Sequence, residues 1–273
     1  MSEAQQDVIF SLDQGVGLIT LNRPDSLNAL SGEMQTLTIE QLQAWAHDPE
    51  VGCIAITGAG RGFCSGGDVS GMAAGGGGGG KSDSAPPTLE TRINRQRSGQ
   101  EFSRLLRSIP KVTLALVNGA AAGAGLGIAL ACDMRLASSK AKFTTAFAKV
   151  GFGGDYGITW GLVHTVGPAR ARELLFLSDV YTADQALELG LVNRIYEAET
   201  FMDEALTLAR QIAAGPQISY RWMKENVDMA LQSGYHEMLD RESFTHLRCG
   251  ETEDHREGVA AFLEKRAPEF KGR

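Results

Sequence analysis

The sequence VTLALVNGAAAGAGLGIALACD, residues 112–133, indicates the fold class more clearly than any other stretch of the chain. Val112–Val117 is a short apolar run typical of a buried strand, and Asn118-Gly119 is a turn signal that ends it. Gly123–Cys132 contains only small and apolar residues, which predicts a closely packed helix. The order of strand, turn and helix predicts an α/β protein whose parallel strands are buried on both faces.

The same order of elements occurs upstream of this stretch. Val8–Leu12 and Val16–Leu21 are predicted to form a hairpin, and Ser31 is predicted to cap the following helix. Cys53–Thr57 is predicted to be a second buried strand, and Leu89–Ile109 a long helix. These patterns extend the predicted α/β organisation toward the N-terminus.

The pattern changes to consecutive helices near residue 201. The predicted helices are Phe201–Ala214, Ile218–Leu231, Tyr235–Cys249 and Thr252–Arg266. The sequence therefore predicts an α/β core over residues 1–200, followed by a helical region over residues 201–273.

Composition and charge exclude several classes of function. The chain has 273 residues with 26 Lys and Arg against 33 Asp and Glu, and its net charge of −7 disfavours a nucleic-acid partner. No apolar run is long enough to cross a membrane, and the N-terminus does not resemble a signal peptide, so we expect a cytoplasmic protein without a membrane partner. The four cysteines show no C-x-x-C pair and no zinc spacing, so we expect reduced, buried thiols and no metal site.

The sequence contains three glycine-rich segments, and their flanking residues lead to different interpretations. Gly75–Ser82 matches the phosphate-loop pattern G-x-x-x-x-G-K-S, but its flanks do not predict the required strand and helix, so residues 72–87 are interpreted as a flexible insertion. Gly123–Gly127 has neither the spacing nor the acidic partner of a dinucleotide site. Arg61–Asp68 follows a strand, and its glycines leave backbone amides free to contact a ligand.

Taken together, the motifs resemble the crotonase (enoyl-CoA hydratase/isomerase) superfamily over nearly the whole chain. The matching segments are Leu21–Pro24, Leu27–Leu30, Phe63–Asp68, Asn118–Gly125, Ala131–Asp133, Leu189–Val192 and Phe262–Arg266. The resemblance implies an α/β spiral of ββα turns with a C-terminal helical trimerisation region. It also implies a homotrimer or a hexamer built from two trimers, and an acyl-CoA substrate whose coenzyme A is the only cofactor-like group.

The resemblance also implies a set of site residues. The backbone amides of Gly67 and Ala124 would bind the thioester oxygen as it becomes an enolate, and such preorganised donors stabilise that charge. Coenzyme A would be bound by a further group of residues: Ser26, Leu27, Ser65, Asp68, and Phe262 and Lys265 from a neighbouring subunit. Asp68 and Asp133 close family motifs in which the aspartate is mostly structural.

The acidic residues at the catalytic positions of the family distinguish hydration from isomerisation. A hydratase of this family activates water between two glutamates, and the matching positions hold Gly127 and Phe147. Asp155 is the remaining carboxylate in this stretch and is the predicted acid/base of an isomerase. We expect burial near Phe147, Phe152 and Trp160 to raise its pKa.

Several alternatives remain open at this point. Asp155 could act only as a helix N-cap, or it could serve as the nucleophile or base of a dehalogenase-type hydrolase or a hydratase. A dehalogenase is disfavoured, because Phe147, followed by Ala148, stands at the position of its tryptophan, and Ser98 lies where a helix histidine would be. The chain could also bind acyl-CoA without catalysis. The acyl group stays open between a fatty enoyl, an aromatic and a ring-epoxide group.

Overall fold

The computed structural model describes residues 6–67 and 87–273. Asp68 and residues 69–86, which include Gly75–Ser82 and nearly all of the predicted insertion, lie outside the described residues. Within the described ranges, no helix is both long enough and apolar enough to span a membrane.

The strands are short and numerous. In chain order they are β1 (Val8–Asp13), β2 (Val16–Leu21), β3 (Cys53–Gly58), β4 (Gly62–Cys64), β5 (Val112–Val117), β6 (Ala120–Ala122), β7 (Met134–Ser138), β8 (Lys142–Thr144), β9 (Tyr181–Thr182) and β10 (Arg194–Tyr196). The larger sheet has the order β1-β2-β3-β5-β7-β10, in which β1 is antiparallel and the others are parallel. A smaller sheet has the order β4-β6-β8-β9, with only β9 antiparallel.

The helices connect and cover these strands. In chain order they are α1 (Gly32–Trp45), α2 (Leu89–Ser108), α3 (Ala124–Ala131), α4 (Ile158–Leu177), α5 (Ala183–Glu188), α6 (Phe201–Ala213), α7 (Gln217–Ala230), α8 (Tyr235–Gly250) and α9 (Glu253–Glu264). The predicted N-cap of α1 is confirmed, because the Ser31 side chain accepts a hydrogen bond from the Met34 amide at 3.1 Å. The four predicted C-terminal helices are also present.

The chain repeats a strand-strand-helix turn. β3-β4-α2, β5-β6-α3 and β7-β8-α4 each place the first strand in the larger sheet and the second strand in the smaller one. This arrangement confirms the α/β spiral that the resemblance implied. Residue patterns alone indicated loops at β4 and β6, because three-residue strands are too short to show a periodicity.

Both faces of β3, in the middle of the larger sheet, are buried, as its apolar sequence predicted. Ile54 and Ile56 of β3 face a core shared with α1, α2 and α3, whereas Cys53 and Ala55 face α6. A strand covered on both faces favours a nearly continuous apolar sequence.

Candidate active site

A short loop after β4 brings three of the predicted coenzyme-A residues together. The Ser65 amide donates to the Leu27 carbonyl at 2.9 Å, and the Ser65 hydroxyl donates to the Ser26 carbonyl at 3.0 Å. The Leu30 amide donates to the Gly66 carbonyl at 2.8 Å. The loop that contains Gly67 is thus fastened to the segment after Pro24, while the binding roles of Ser26, Leu27 and Ser65 stay predictions.

The same loop lies against the N-terminus of α3. Gly66 has φ +93°, and a Cβ on it would be 2.9 Å from the Ala122 carbonyl oxygen and 3.2 Å from the Ala124 nitrogen. A Cβ on Gly125 would lie only 2.1 Å from the Cys64 carbonyl oxygen. Two glycines are therefore required for the loop and the helix to meet this closely.

The backbone amides of Gly67 and Ala124 are the predicted donors to the thioester oxygen. Ala124 is the first residue of α3, so its N–H has no partner within the helix. Among residues 6–67 and 87–273, no acceptor is hydrogen-bonded to either amide. The N-terminal end of α3 adds its dipole, so this corner of the molecule favours a negatively charged oxygen.

Asp155 lies in the loop before α4, and only one of its carboxylate oxygens is hydrogen-bonded. Gln96 of α2 donates its Nε2 to Asp155 Oδ2 at 3.1 Å. Oδ1 is buried and has no hydrogen-bond partner among the described residues. Burial raises the pKa of the Asp155 carboxyl, and the hydrogen bond from Gln96 partly opposes that rise.

The N-cap alternative for Asp155 is wrong. Gly157 occupies the N-cap position of α4, and the Ile158 amide donates to the backbone carbonyl of Asp155 at 3.0 Å. The Asp155 side chain instead contacts α2, which lies far away in sequence. Gly157, which has φ +75°, lies between Asp155 and the first residue of the helix.

Tyr156 fixes the backbone beside Asp155. Its φ is +48°, a conformation that a bulky residue adopts only when its surroundings impose it. The buried Tyr156 hydroxyl donates to Oε1 of Gln35 on α1 at 2.6 Å. Tyr156, Gln35 and Gln96 were not identified from the sequence, because their contacts join segments that no local pattern relates.

The two positions where a hydratase would carry glutamates lie in this site but hold apolar residues. A Cβ on Gly127 would be 2.9 Å from the Tyr156 Cβ and 3.3 Å from the Asp155 carbonyl oxygen. The ring of Phe147, which is buried, lies 3.7 Å from the Cβ position of Gly123. The backbone around Asp155 therefore occupies the space that a larger residue at position 127, in the first turns of α3, would need for its side chain.

The aromatic surroundings predicted for Asp155 are only partly present. Phe147 is buried, but Phe152 is 57% exposed and Trp160 is 41% exposed. The Trp160 ring lies under the Arg107 guanidinium, whose central carbon is 4.6 Å from the ring centroid. The predicted direction of the pKa shift is confirmed, although Phe152 and Trp160 are themselves exposed.

Three predicted binding residues lie apart from this cluster or outside the described residues. Phe262 lies on α9 with its side chain 83% exposed, and Lys265 follows as the C-cap of the same helix. In the described part of a single chain, neither residue contacts the segments around Gly67 or Asp155, because α9 packs on α8. Their predicted approach to a neighbouring subunit stays a prediction, and Asp68 lies outside the described residues.

The chain is similar to known proteins in both its sequence and its fold. The family model for enoyl-CoA hydratase/isomerase matches residues 11–273. The chain is 36% identical over 266 residues to 1,2-epoxyphenylacetyl-CoA isomerase from Escherichia coli, covering 97% of this chain and 98% of the relative. It is 31% identical over 268 residues to crotonyl-CoA hydratase from Syntrophomonas wolfei, covering 98% of both.

The fold is similar to that of solved enzymes as well. The crystal structure of an enoyl-CoA hydratase from Polaromonas sp. JS666 superposes with a TM-score of 0.88 at 32% identity. The superposition covers 96% of this chain and 99% of that chain.

Proposed function

The chain belongs to the enoyl-CoA hydratase/isomerase family, and on that premise we propose that it isomerises an acyl-CoA thioester by moving a proton through an enolate. The observation that carries this proposal is the Asp155 carboxylate, whose buried Oδ1 has no hydrogen-bond partner among the described residues, in a loop whose backbone contacts α3 at Gly127. One carboxyl that first accepts and then returns a proton is enough for isomerisation. Hydration needs a second acid/base group, and the corresponding positions hold Gly127 and Phe147.

The proposed reaction begins with the thioester oxygen between the amides of Gly67 and Ala124. Asp155 removes a proton from Cα or Cγ of the acyl group, and the electron pair of that C–H bond moves into the thioester to form an enolate or dienolate. The two N–H donors stabilise the oxygen as it becomes negative. The Asp155 carboxylic acid then returns the proton to another carbon, so the reaction needs no cofactor beyond the coenzyme A of the substrate.

The environment of Asp155 suits this role. Burial raises the pKa of its carboxyl, which makes the carboxylate a stronger base and the carboxylic acid easier to form during the reaction. Three residues of helical rise, about 4.5 Å, separate Ala124 from Gly127 along α3. Because Gly127 contacts the Asp155 segment, the proposed base and one proposed oxyanion donor lie at the same end of this helix.

We propose an acyl group whose double bond or ring can be rearranged through such an enolate. The isomerase named above acts on 1,2-epoxyphenylacetyl-CoA, a ring-epoxide thioester. An aromatic ring-epoxide is therefore the first substrate class to test, and a 3-enoyl thioester is the second.

The test compares the wild-type protein with Asp155→Asn. Three probes are used: 1,2-epoxyphenylacetyl-CoA, 3-hexenoyl-CoA and, for hydration, crotonyl-CoA. We expect isomerisation of at least one of the first two, only partial deuterium incorporation from D2O during turnover, and little hydration of crotonyl-CoA. Because a positioned acid/base contributes about 10²–10⁴-fold, we expect Asp155→Asn to lower the rate by about 10³-fold.

Asp184→Asn is the matched control, because Asp184 is an exposed carboxylate in the first turn of α5. This control should retain full activity. Isomerisation that survives Asp155→Asn contradicts the proposed role of Asp155, and efficient hydration of crotonyl-CoA contradicts the isomerase. Tight binding of the probes without exchange or turnover supports an acyl-CoA-binding protein instead.

We also propose that the C-terminal helices assemble the chain into a trimer or hexamer, as the resemblance implies. Met223, Val227, Leu247, Phe262 and Leu263 are 58–83% exposed in a single chain, which is what residues buried between subunits would show. Sedimentation analysis distinguishes these assemblies from a monomer.

A further inference from the structure

Gln96 is the polar side chain that contacts the proposed catalytic carboxylate. It lies on α2, and its Nε2 is 3.1 Å from Asp155 Oδ2. Gly99 follows three residues later on the same helix, and a Cβ on Gly99 would be 2.2 Å from Gln35 Oε1 and 3.0 Å from the Tyr156 hydroxyl. The absence of a side chain at Gly99 thus lets α2 approach the Asp155 loop closely enough for Gln96 to reach the carboxylate.

The groups that face Asp155 from the packed elements are otherwise neutral. From α1, Gln35 accepts a hydrogen bond from Tyr156, the residue after Asp155. From α3, Gly127 lies against the backbone of Asp155. The titratable neighbours are the Tyr156 phenol, whose pKa is raised by its burial and then by Asp155, and the Cys64 thiol beside it, whose pKa burial raises to about 12. Both are uncharged near neutral pH.

The charged residues on α2 do not pair with Asp155. Arg92, Arg95 and Arg97 are exposed, and among the described residues no cation forms an ion pair with Asp155. The hydrogen bond from Gln96 is therefore the specific interaction that favours the charged form of this carboxylate.

We propose that Gln96 is a positioning residue that assigns the two oxygens of Asp155 different tasks, and this inference rests on the proposed function. While the Nε2 of Gln96 donates to it, Oδ2 accepts that hydrogen bond whether Asp155 is charged or neutral. A proton taken from the substrate then resides on Oδ1, the buried oxygen without a protein partner. The same proton can be returned from Oδ1 before it exchanges with water.

The test replaces Gln96 with Met, which keeps the length of the side chain and removes the donor. Gln100→Met is the matched control, because Gln100 lies one turn further along α2 and has no side-chain hydrogen bond in the described structure. The probe is whichever of 1,2-epoxyphenylacetyl-CoA and 3-hexenoyl-CoA the wild-type protein isomerises. Gln96 is exposed, so the variant should fold normally.

We expect Gln96→Met to lower kcat about tenfold with little change in KM. Loss of a typical hydrogen bond should move the acidic limb of the kcat/KM profile to higher pH by about 0.5–1 unit. In D2O, the product should retain less of the substrate's own proton. A carbon-13 carboxyl NMR titration of Asp155 without substrate should show the same direction of shift, independently of activity.

Gln96→Glu supplies a second diagnostic. A protonated glutamic acid can donate to Oδ2, whereas a glutamate cannot, so this variant should approach wild-type proton retention at low pH and lose it as pH rises. If Asp155→Asn is inactive but Gln96→Met has wild-type proton retention and an unshifted pH profile, the positioning role is wrong and the proposed function stands. If Asp155→Asn remains active, the proposed function itself fails.

Discussion

Asp133 and Asp155 are both partly buried aspartates, but the structure surrounds them differently. Asp133 Oδ2 accepts hydrogen bonds from the Thr113 amide at 2.7 Å and the Lys224 ammonium at 2.9 Å. Lys224 is 8% exposed and also donates to the Lys111 carbonyl at 3.0 Å. Asp155 receives one hydrogen bond from a neutral amide, and its second oxygen has no described partner.

The contrast separates an aspartate that stabilises the fold from the one that we propose for catalysis. The Asp133 cluster, which consists of Asp133, Thr113 and Lys224, joins β5 and the start of β7 to α7. The charge of Asp133 is therefore neutralised where these elements meet. Among the described residues no cation pairs with the partly buried Asp155 carboxylate, and a buried charge without a cation costs stability. A carboxylate that exchanges a proton with a substrate needs an oxygen without a hydrogen bond from the protein. A carboxylate in a structural ion pair needs no such oxygen.

The largest stability effect is expected from breaking the Asp133 cluster. Asp133→Asn leaves the buried Lys224 ammonium without its carboxylate, although the backbone acceptor at Lys111 remains. We expect the free energy of unfolding to fall by about 3 kcal/mol, with kcat nearly unchanged. Urea denaturation at a fixed protein concentration measures this loss, and a change below about 1 kcal/mol would contradict the structural role.

A smaller effect is expected where α3 contacts the Asp155 loop. Gly127→Ala places a methyl group 2.9 Å from the Tyr156 Cβ, so the loop must move. We expect a loss of about 1–2 kcal/mol in unfolding free energy and a clear fall in kcat, because the carboxylate moves with Tyr156. The two quantities are measured by denaturation and by the isomerase assay.

Gly258→Ala is the matched control for this substitution. Its new Cβ would lie 3.6 Å from the Phe270 ring, an ordinary contact in the middle of α9. This variant should gain up to about 1 kcal/mol from helix propensity, without a change in kcat. Equal stabilisation by both alanines would show that α3 and the Asp155 loop are not tightly packed.

The smallest effect should have the opposite sign to that of Asp133→Asn. Asp155→Asn removes a carboxylate whose pKa is raised in the folded state, so the charged form costs stability. We expect a gain of about 1 kcal/mol near pH 7. Thermal and urea unfolding at several pH values provide the measurement.

The pH dependence of this gain follows from the direction of the shift. Below about pH 4 the carboxyl is protonated in both the folded and the unfolded chain, so the wild type and the variant should converge. As pH rises from there through the raised pKa of the folded state, the wild-type protein loses stability relative to the variant. A gain that is constant down to low pH would mean that the charge of Asp155 is not its cause.

The predictable part of the fold lies in the long, regular elements. Val112–Val117 was predicted at its observed bounds, and the N-cap at Ser31 is also confirmed. Apolar periodicity and caps are local signals that one segment carries by itself. β4 and β6 were not predicted from residue patterns, because each has only three residues and is defined by its pairing with neighbouring strands, β4 with β6 and β6 also with β8.

The candidate site divides in the same way. Gly67, Ala124 and Asp155 could be named from motifs in the sequence, and the structure places Ala124 and Asp155 at one end of α3. The suggested N-cap role of Asp155 was wrong, because local proximity to a helix does not fix where a side chain points. Gln96 carried no signal at all, since its contact with Asp155 spans 59 positions of sequence.

The sequence by itself determined the family, strands such as β3 and β5, the four C-terminal helices, and the absence of carboxylates at positions 127 and 147. These properties depend on residue identity and local spacing. Only the tertiary structure decided that Gly127 leaves room for the Asp155 loop and that Gln96 binds one oxygen of Asp155 while the other stays unpartnered. Such properties depend on how α2 and α3 pack around one loop, and the burial and hydrogen bonding of a charge are fixed only by that packing.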